Sequence, residues 1–173
     1  MEHSALQTRF LLTIVGDDRP GLTRALSAAL FDVGGNWLEG HLSRLGGKFV
    51  GAILVDLPPD RTAELNSRLA AESAGLKVNL HPVSEDGDSA EPVTLSLTSA
   101  DRPGIVHELS LILARLGANI VELETSAEDG AWQGNPIFHA TARLTLPAGL
   151  SHPALQEALE QLSGDLIVEL EPA

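Results

Sequence analysis

The chain has 173 residues, and 24 Asp and Glu against 11 Lys and Arg leave a formal net charge of −13. A surface this acidic repels phosphate backbones and anionic lipid, so neither direct nucleic-acid binding nor membrane association is expected. Cysteine is absent, which removes disulfides, thiolate metal sites and cysteine nucleophiles together and fits a reducing compartment.

The first ten residues lack a basic stretch followed by an apolar one, and no run of about 18 apolar residues follows, so a cytoplasmic protein without signal peptide or membrane span is expected. Phe10–Val15 is a short β-rich run and predicts a strand. Asp18-Arg19-Pro20-Gly21 then reads as a turn, with proline suited to the first turn of a helix. Leu22, Leu26, Ala29, Leu30 and Val33 form an apolar stripe of helical period, closed by Gly34-Gly35. Leu38, Gly40 and Leu42 alternate with Glu39 and His41 and predict a second strand. Gly46-Gly47 closes a hairpin to a third strand. Leu65, Leu69 and Ala70 mark a second helix, and Leu76, Val78 and Leu80 a last strand.

The same series then recurs. Val93–Thr98 predicts a strand, and Asp101-Arg102-Pro103-Gly104 repeats the turn. Ile105, Leu109, Ile112, Leu113 and Leu116 repeat the stripe, and Gly117 repeats its end. Val121, Leu123 and Thr125 alternate with Glu122 and Glu124. Phe138, Ala140, Ala142, Leu144 and Leu146 share one strand face, opposite His139, Thr141, Arg143 and Thr145. Leu155, Ala158, Leu159 and Leu162 give the second helix, and Leu166, Val168 and Leu170 the last strand. The register starts 83 residues apart, grows to 89 across a longer hairpin loop over 129–136, and ends 90 apart. This predicts a duplicated βαββαβ unit, an α+β ferredoxin-like arrangement with an antiparallel sheet and helices on one face. The expected domains are 1–83 and 93–173, joined by an acidic linker over 84–92. The three segments carry −1, −8 and −4 respectively. Two units this small are expected to pack together and to pair further into a homodimer, because core burial at about 80 residues is marginal.

Motifs for catalysis are missing: no nucleophile elbow, phosphate loop, zinc-binding helix or dinucleotide fingerprint is present. The six histidines are scattered, with no pair at i, i+4, so no metal or other cofactor is expected. The βαββαβ order also suits RNA-recognition domains, but those need several aromatics on the open sheet face with basic flanks. Only Phe49 is available, and its counterpart Phe138 lies on the apolar face. What stands out are the two Asp-Arg-Pro-Gly turns and the asparagines, Asn36 and Asn119, that open the second strand of each copy. A helix start offers free N–H groups and partial positive charge to a carboxylate. Gly21 and Gly104 let a ligand approach the backbone, Asp18 or Asp101 can accept from an ammonium group, and each asparagine offers a donor and an acceptor.

On these residues the sequence resembles the ACT-domain superfamily. The strand, the Asp-Arg-Pro-Gly turn, the amphipathic helix, Gly34-Gly35-Asn36 or Gly117-Ala118-Asn119, the hairpin, the second helix and the last strand all match in order. The two-unit layout resembles the tandem glycine cleavage system transcriptional repressor family. The resemblance implies a non-enzymatic regulator that binds a small amino acid, plausibly glycine, at interfaces between ACT surfaces. Its candidate ligand residues are Asp18, Arg19, Pro20, Gly21, Leu22 and Asn36, with Asp101, Arg102, Pro103, Gly104, Ile105 and Asn119. It also implies a protein partner, a transcription factor or an enzyme, rather than DNA. The alternative is a small hydrolase of acylphosphatase type, in which Arg19 or Arg102 and Asn36 or Asn119 would act on one phosphate.

Overall fold

The computed structural model describes residues 8–72, 75–83, 92–129, 136–161 and 166–172. Two compact units divide the chain, Met1–Asp86 and Gly87–Ala173. The segment expected as linker, apart from Pro92, lies outside the described residues, as do residues 130–135 of the long hairpin loop and Leu162 of the last helical stripe.

The first unit runs β1 (Thr8–Asp17), α1 (Leu22–Asp32), β2 (Asn36–Leu45), β3 (Lys48–Leu57), α2 (Thr62–Glu72) and β4 (Lys77–Pro82). The second runs β5 (Pro92–Ala100), α3 (Ile105–Arg115), β6 (Asn119–Glu128), β7 (Ile137–Thr145), α4 (His152–Glu160) and β8 (Ile167–Pro172). Strand orders are β2-β3-β1-β4 and β6-β7-β5-β8, all neighbours antiparallel. This is the ferredoxin-like βαββαβ pattern twice over. β1 and β2 therefore run parallel, with β3 between them.

Each unit has its own core, because each helix stripe is buried against one sheet face. Leu26, Leu30, Val33, Leu65 and Leu69 pack with Leu12, Ile14, Ile53 and Val55 in the first unit. Leu109, Leu113, Leu155 and Leu159 pack with Leu95, Leu97, Ala142 and Leu144 in the second. Ala70, expected on the buried stripe of α2, faces solvent. Burying a leucine side chain contributes about 1.5–3 kcal/mol, which makes these stripes the main stabilising term.

The second strand of each copy departs from simple alternation. A register shift falls between Trp37 and Glu39 in β2, and between Ile120 and Glu122 in β6. Such a bulge places one extra residue on the strand and inverts the facing pattern beyond it. Trp37 and Ile120 therefore pack on the cores, while Leu38 and Val121, expected on the buried face, are exposed.

The two open sheet faces have diverged. In the first unit the face away from the helices carries Leu11, Val15, Val50, Ala52 and Leu54; in the second it carries Glu122, Glu124, Glu169 and Glu171 among threonines.

Candidate functional site

The turn after β1 places Gly21 at φ 91°, ψ 3°, immediately before the first helical residue, Leu22. Gly104 repeats this at φ 96°, ψ −2° before Ile105. These are the angles of the third residue of a type II turn, where proline favours the second position. Pro20 and Pro103 therefore lie before the helix caps and set the turn, rather than standing in the first helical turn as expected.

Neither glycine offers a side-chain cap. The first intrahelical bonds are Ala25 N–H to the Gly21 carbonyl and Glu108 N–H to the Gly104 carbonyl, both 2.9 Å. The N–H groups ahead of them belong to the unpaired set at every helix start. No heavy atom lies within 4 Å of where a Cβ on Gly21 would stand, and on Gly104 only Glu108 Oε1 does, at 3.9 Å. The backbone is thus open to an incoming group in both copies. Leu22 and Ile105 are buried in the cores, so they anchor the turns and can offer a ligand only their backbone.

The surroundings of the two turns differ. In the first unit the hairpin tip closes over the end of β1: Asp18 N–H donates to the Gly47 carbonyl at 3.4 Å, and Arg44 pairs with Asp18 at 3.2 Å. Lys48 donates to Asp17, and this bond holds the Asp17 carboxyl below the usual carboxylate range, with the lysine charge adding to it. Arg19 is exposed and forms no ion pair or hydrogen bond among the described residues. In the second unit Asp101 N–H donates to the Pro136 carbonyl at 2.7 Å. Arg102 forks onto Glu108 at 2.8 and 2.5 Å. Hydrogen bonding from Arg102 is the main cause of a Glu108 pKa below the usual glutamate range. Glu108 stands in the first turn of α3, where a carboxylate is favoured by the helix dipole. That carboxylate already occupies the electropositive end to which a ligand anion would come. The first unit has Ala25 at the matching position and leaves it vacant.

The asparagines are placed elsewhere. Asn36 pairs across the sheet with Asp56, and Asp56 with Arg9, near the start of β1; Asp18 follows the end of that strand. Nine residues of extended chain separate Arg9 from Asp18, roughly 30 Å. Asn119 is set in the same way, paired to Thr145 and so to Pro92. Within a unit, then, the structure brings together Asp18 through Leu22, or Asp101 through Ile105, and leaves the asparagine at the opposite end of the sheet. One phosphate cannot touch Arg19 and Asn36 of one unit, so this geometry does not support the hydrolase arrangement. Phe49 packs partly against the first core, which removes it as a free stacking platform for RNA. Among the described residues no three His, Asp or Glu are grouped to hold a metal ion, and no helix is long and apolar enough to cross a membrane.

Arg44 and Lys48 were not legible as neighbours of the turns. Lys48 gains that position from the β1–β3 register, and Arg44 from the β2–β3 register that sets it beside Phe49. The six-residue spacing of Arg102 and Glu108 across a glycine cap is a signal visible in the sequence.

Residues 8–81 match the ACT domain family model. No curated protein matches the chain. Among solved structures, a protein of unknown role from Galdieria sulphuraria is 27% identical with a TM-score of 0.85, over 96% of this chain and 99% of that one. A second, named as a glycine cleavage system transcriptional repressor, is 18% identical with a TM-score of 0.67, over 97% and 99%. That second likeness is one of fold.

Proposed function

We propose, taking this chain as a tandem ACT-domain protein, that it is an amino-acid-responsive regulator and not a catalyst. A small amino acid such as glycine binds at the Asp18–Leu22 turn and changes the protein's affinity for a protein partner, a transcription factor or an enzyme. The observation that carries this reading is the exposed left-handed Gly21, with open space above it, uncapped helix N–H groups behind it and, in the same turn, the guanidinium of Arg19, which has no partner among the described residues. A ligand carboxylate meets those N–H groups and Arg19. Its ammonium group meets Asp18, which shares its charge with Arg44.

The Asp101–Ile105 turn has the same backbone but is the weaker seat, because Glu108 already stands there. A ligand that touches both a turn and an asparagine needs a second ACT surface, since one unit holds them about 30 Å apart. A homodimer supplies such a surface.

Calorimetry of glycine, alanine and serine, preceded by a thermal-shift screen of the common amino acids, tests this. A ligand at 100 times its dissociation constant stabilises by about 2.7 kcal/mol, and Arg19→Ala should abolish most of that gain. No shift with any amino acid refutes the reading. Gel shifts with the protein alone should leave DNA unretarded at physiological salt. A complex that changes with the amino acid only when the partner is present supports the proposed route.

A further inference from the structure

The two units contain the same pair of helices, which makes each a control for the other. In the first unit Arg68 of α2 reaches across to Asp32 of α1 at 3.0 Å and is held from behind by Glu64 at 3.2 Å. The arginine thus bridges the two helices and pairs with the carboxylate at the end of α1. In the second unit the matching positions are Ala158 and Arg115. The long side chain is gone, and the anion at the end of the first helix has become a cation.

Between α3 and α4 lies a groove of about 500 Å³. Its apolar floor is Ile112, Leu116 and Ala158, with Gln161 at one edge. The Arg102–Glu108 pair closes one end and Arg115 the other. Arg115 forms no ion pair or hydrogen bond among the described residues. Residues 93–173 contain only three Lys and Arg, namely Arg102, Arg115 and Arg143. Arg102 is turned to Glu108 and Arg143 to Glu122. In a segment of net charge −8, the groove therefore ends at the one guanidinium that has no carboxylate among the described residues.

We infer that the α3–α4 groove of the second unit is a binding site for a small organic acid with a short aliphatic body. The carboxylate pairs with Arg115, and the hydrocarbon lies over Ile112, Leu116 and Ala158. A volume of this size suits a ligand larger than glycine. Charge sets the specificity, because the acidic surroundings disfavour anions everywhere except at Arg115. The site is separate from the Asp18–Leu22 turn and does not depend on amino-acid binding there.

The test uses the full chain with 4-methylpentanoate as probe and 4-methylpentanamide as its neutral counterpart, read by amide chemical shifts and by calorimetry. The acid should give saturable shifts in α3 and α4. Arg115→Gln should weaken it at least tenfold, the expected loss for a hydrogen bond to a charged group. The double variant Arg115→Asp with Ala158→Arg rebuilds the first unit's pair; it should fold with undiminished thermal stability and bind no acid. The amide should bind at least tenfold more weakly than the acid. Absence of saturable shifts up to tens of millimolar, equal binding of acid and amide, or binding unchanged in Arg115→Gln and in the double variant would each overturn the inference. Glycine binding by the Arg115 variants at wild-type affinity would show that the turn and the groove are independent.

Discussion

Replacing Gly21 by alanine separates what the backbone needs at the turn from what a ligand needs. Gly21 sits at φ 91°, and no heavy atom lies within 4 Å of the position a Cβ would take. Crowding therefore contributes nothing, and the whole cost is conformational. A left-handed conformation costs an L-residue about 1–2 kcal/mol, reduced by a few tenths because alanine also stiffens the unfolded chain. A net loss of about 1 kcal/mol lowers the melting temperature of a unit this size by about 4–8 °C. Gly21→Asn should recover much of that, since asparagine visits this region readily and can cap the helix. Urea and thermal unfolding followed by circular dichroism measure both variants, and calorimetry measures their affinity for the amino acid. Both place a side chain in the open space above the turn, so both should weaken binding even where Asn restores stability. A loss above about 3 kcal/mol for alanine would mean an unseen contact. Full ligand affinity in both variants would mean that the turn is chain geometry and not a seat.

Gly51→Ala should be far more damaging, because its Cβ would stand 2.0 Å from the His41 carbonyl oxygen and 2.9 Å from Leu42 Cα. Moving β2 away costs about 2–4 kcal/mol in urea unfolding, and a neutral result would show that this strand pair relaxes freely. Asn36→Ala and Asn119→Ala should each change stability by less than about 0.5 kcal/mol, both side chains being exposed. A drop in ligand affinity in dimer but not in monomer would place the asparagine on the ligand across a second ACT surface, and equal affinity in both variants and wild type would remove it from the site. The Arg102–Glu108 pair stabilises at pH above the ordinary glutamate range, and its contribution disappears as pH falls through the depressed folded value. Arg102→Ala should return the Glu108 titration, read by carboxyl NMR, toward the ordinary value; an unmoved titration would refute the pair.

Most of the architecture was legible because duplication supplied each element twice, and a stripe such as Leu26-Leu30 gains weight when Leu109-Leu113 repeats it. The bulges were not. Period-two reasoning cannot place an extra residue, so Leu38 and Val121 were assigned inward while Trp37 and Ile120 took that position. The candidate turns were legible as turns, but the sequence presented each asparagine as part of the same site. Strand direction decides that question: β1 and β2 run parallel, so the residue opening β2 lies level with the start of β1. The groove between α3 and α4 could not be read from either copy alone. It follows from comparing Arg68 and Asp32 with Ala158 and Arg115 once the helix packing is known.

The unequal surroundings of Gly21 and Gly104 bear on how the protein would report concentration. Under the proposed function, two turns of closely similar backbone, one beside an arginine with no partner among the described residues and the other already facing Glu108, would not fill at the same ligand level. The first would then saturate while the second is still filling, so total occupancy would climb over a broader range than one class of site would cover. On that reading the mismatch would turn duplication into dynamic range, with the low-concentration signal from the first unit and the high-concentration signal from the second.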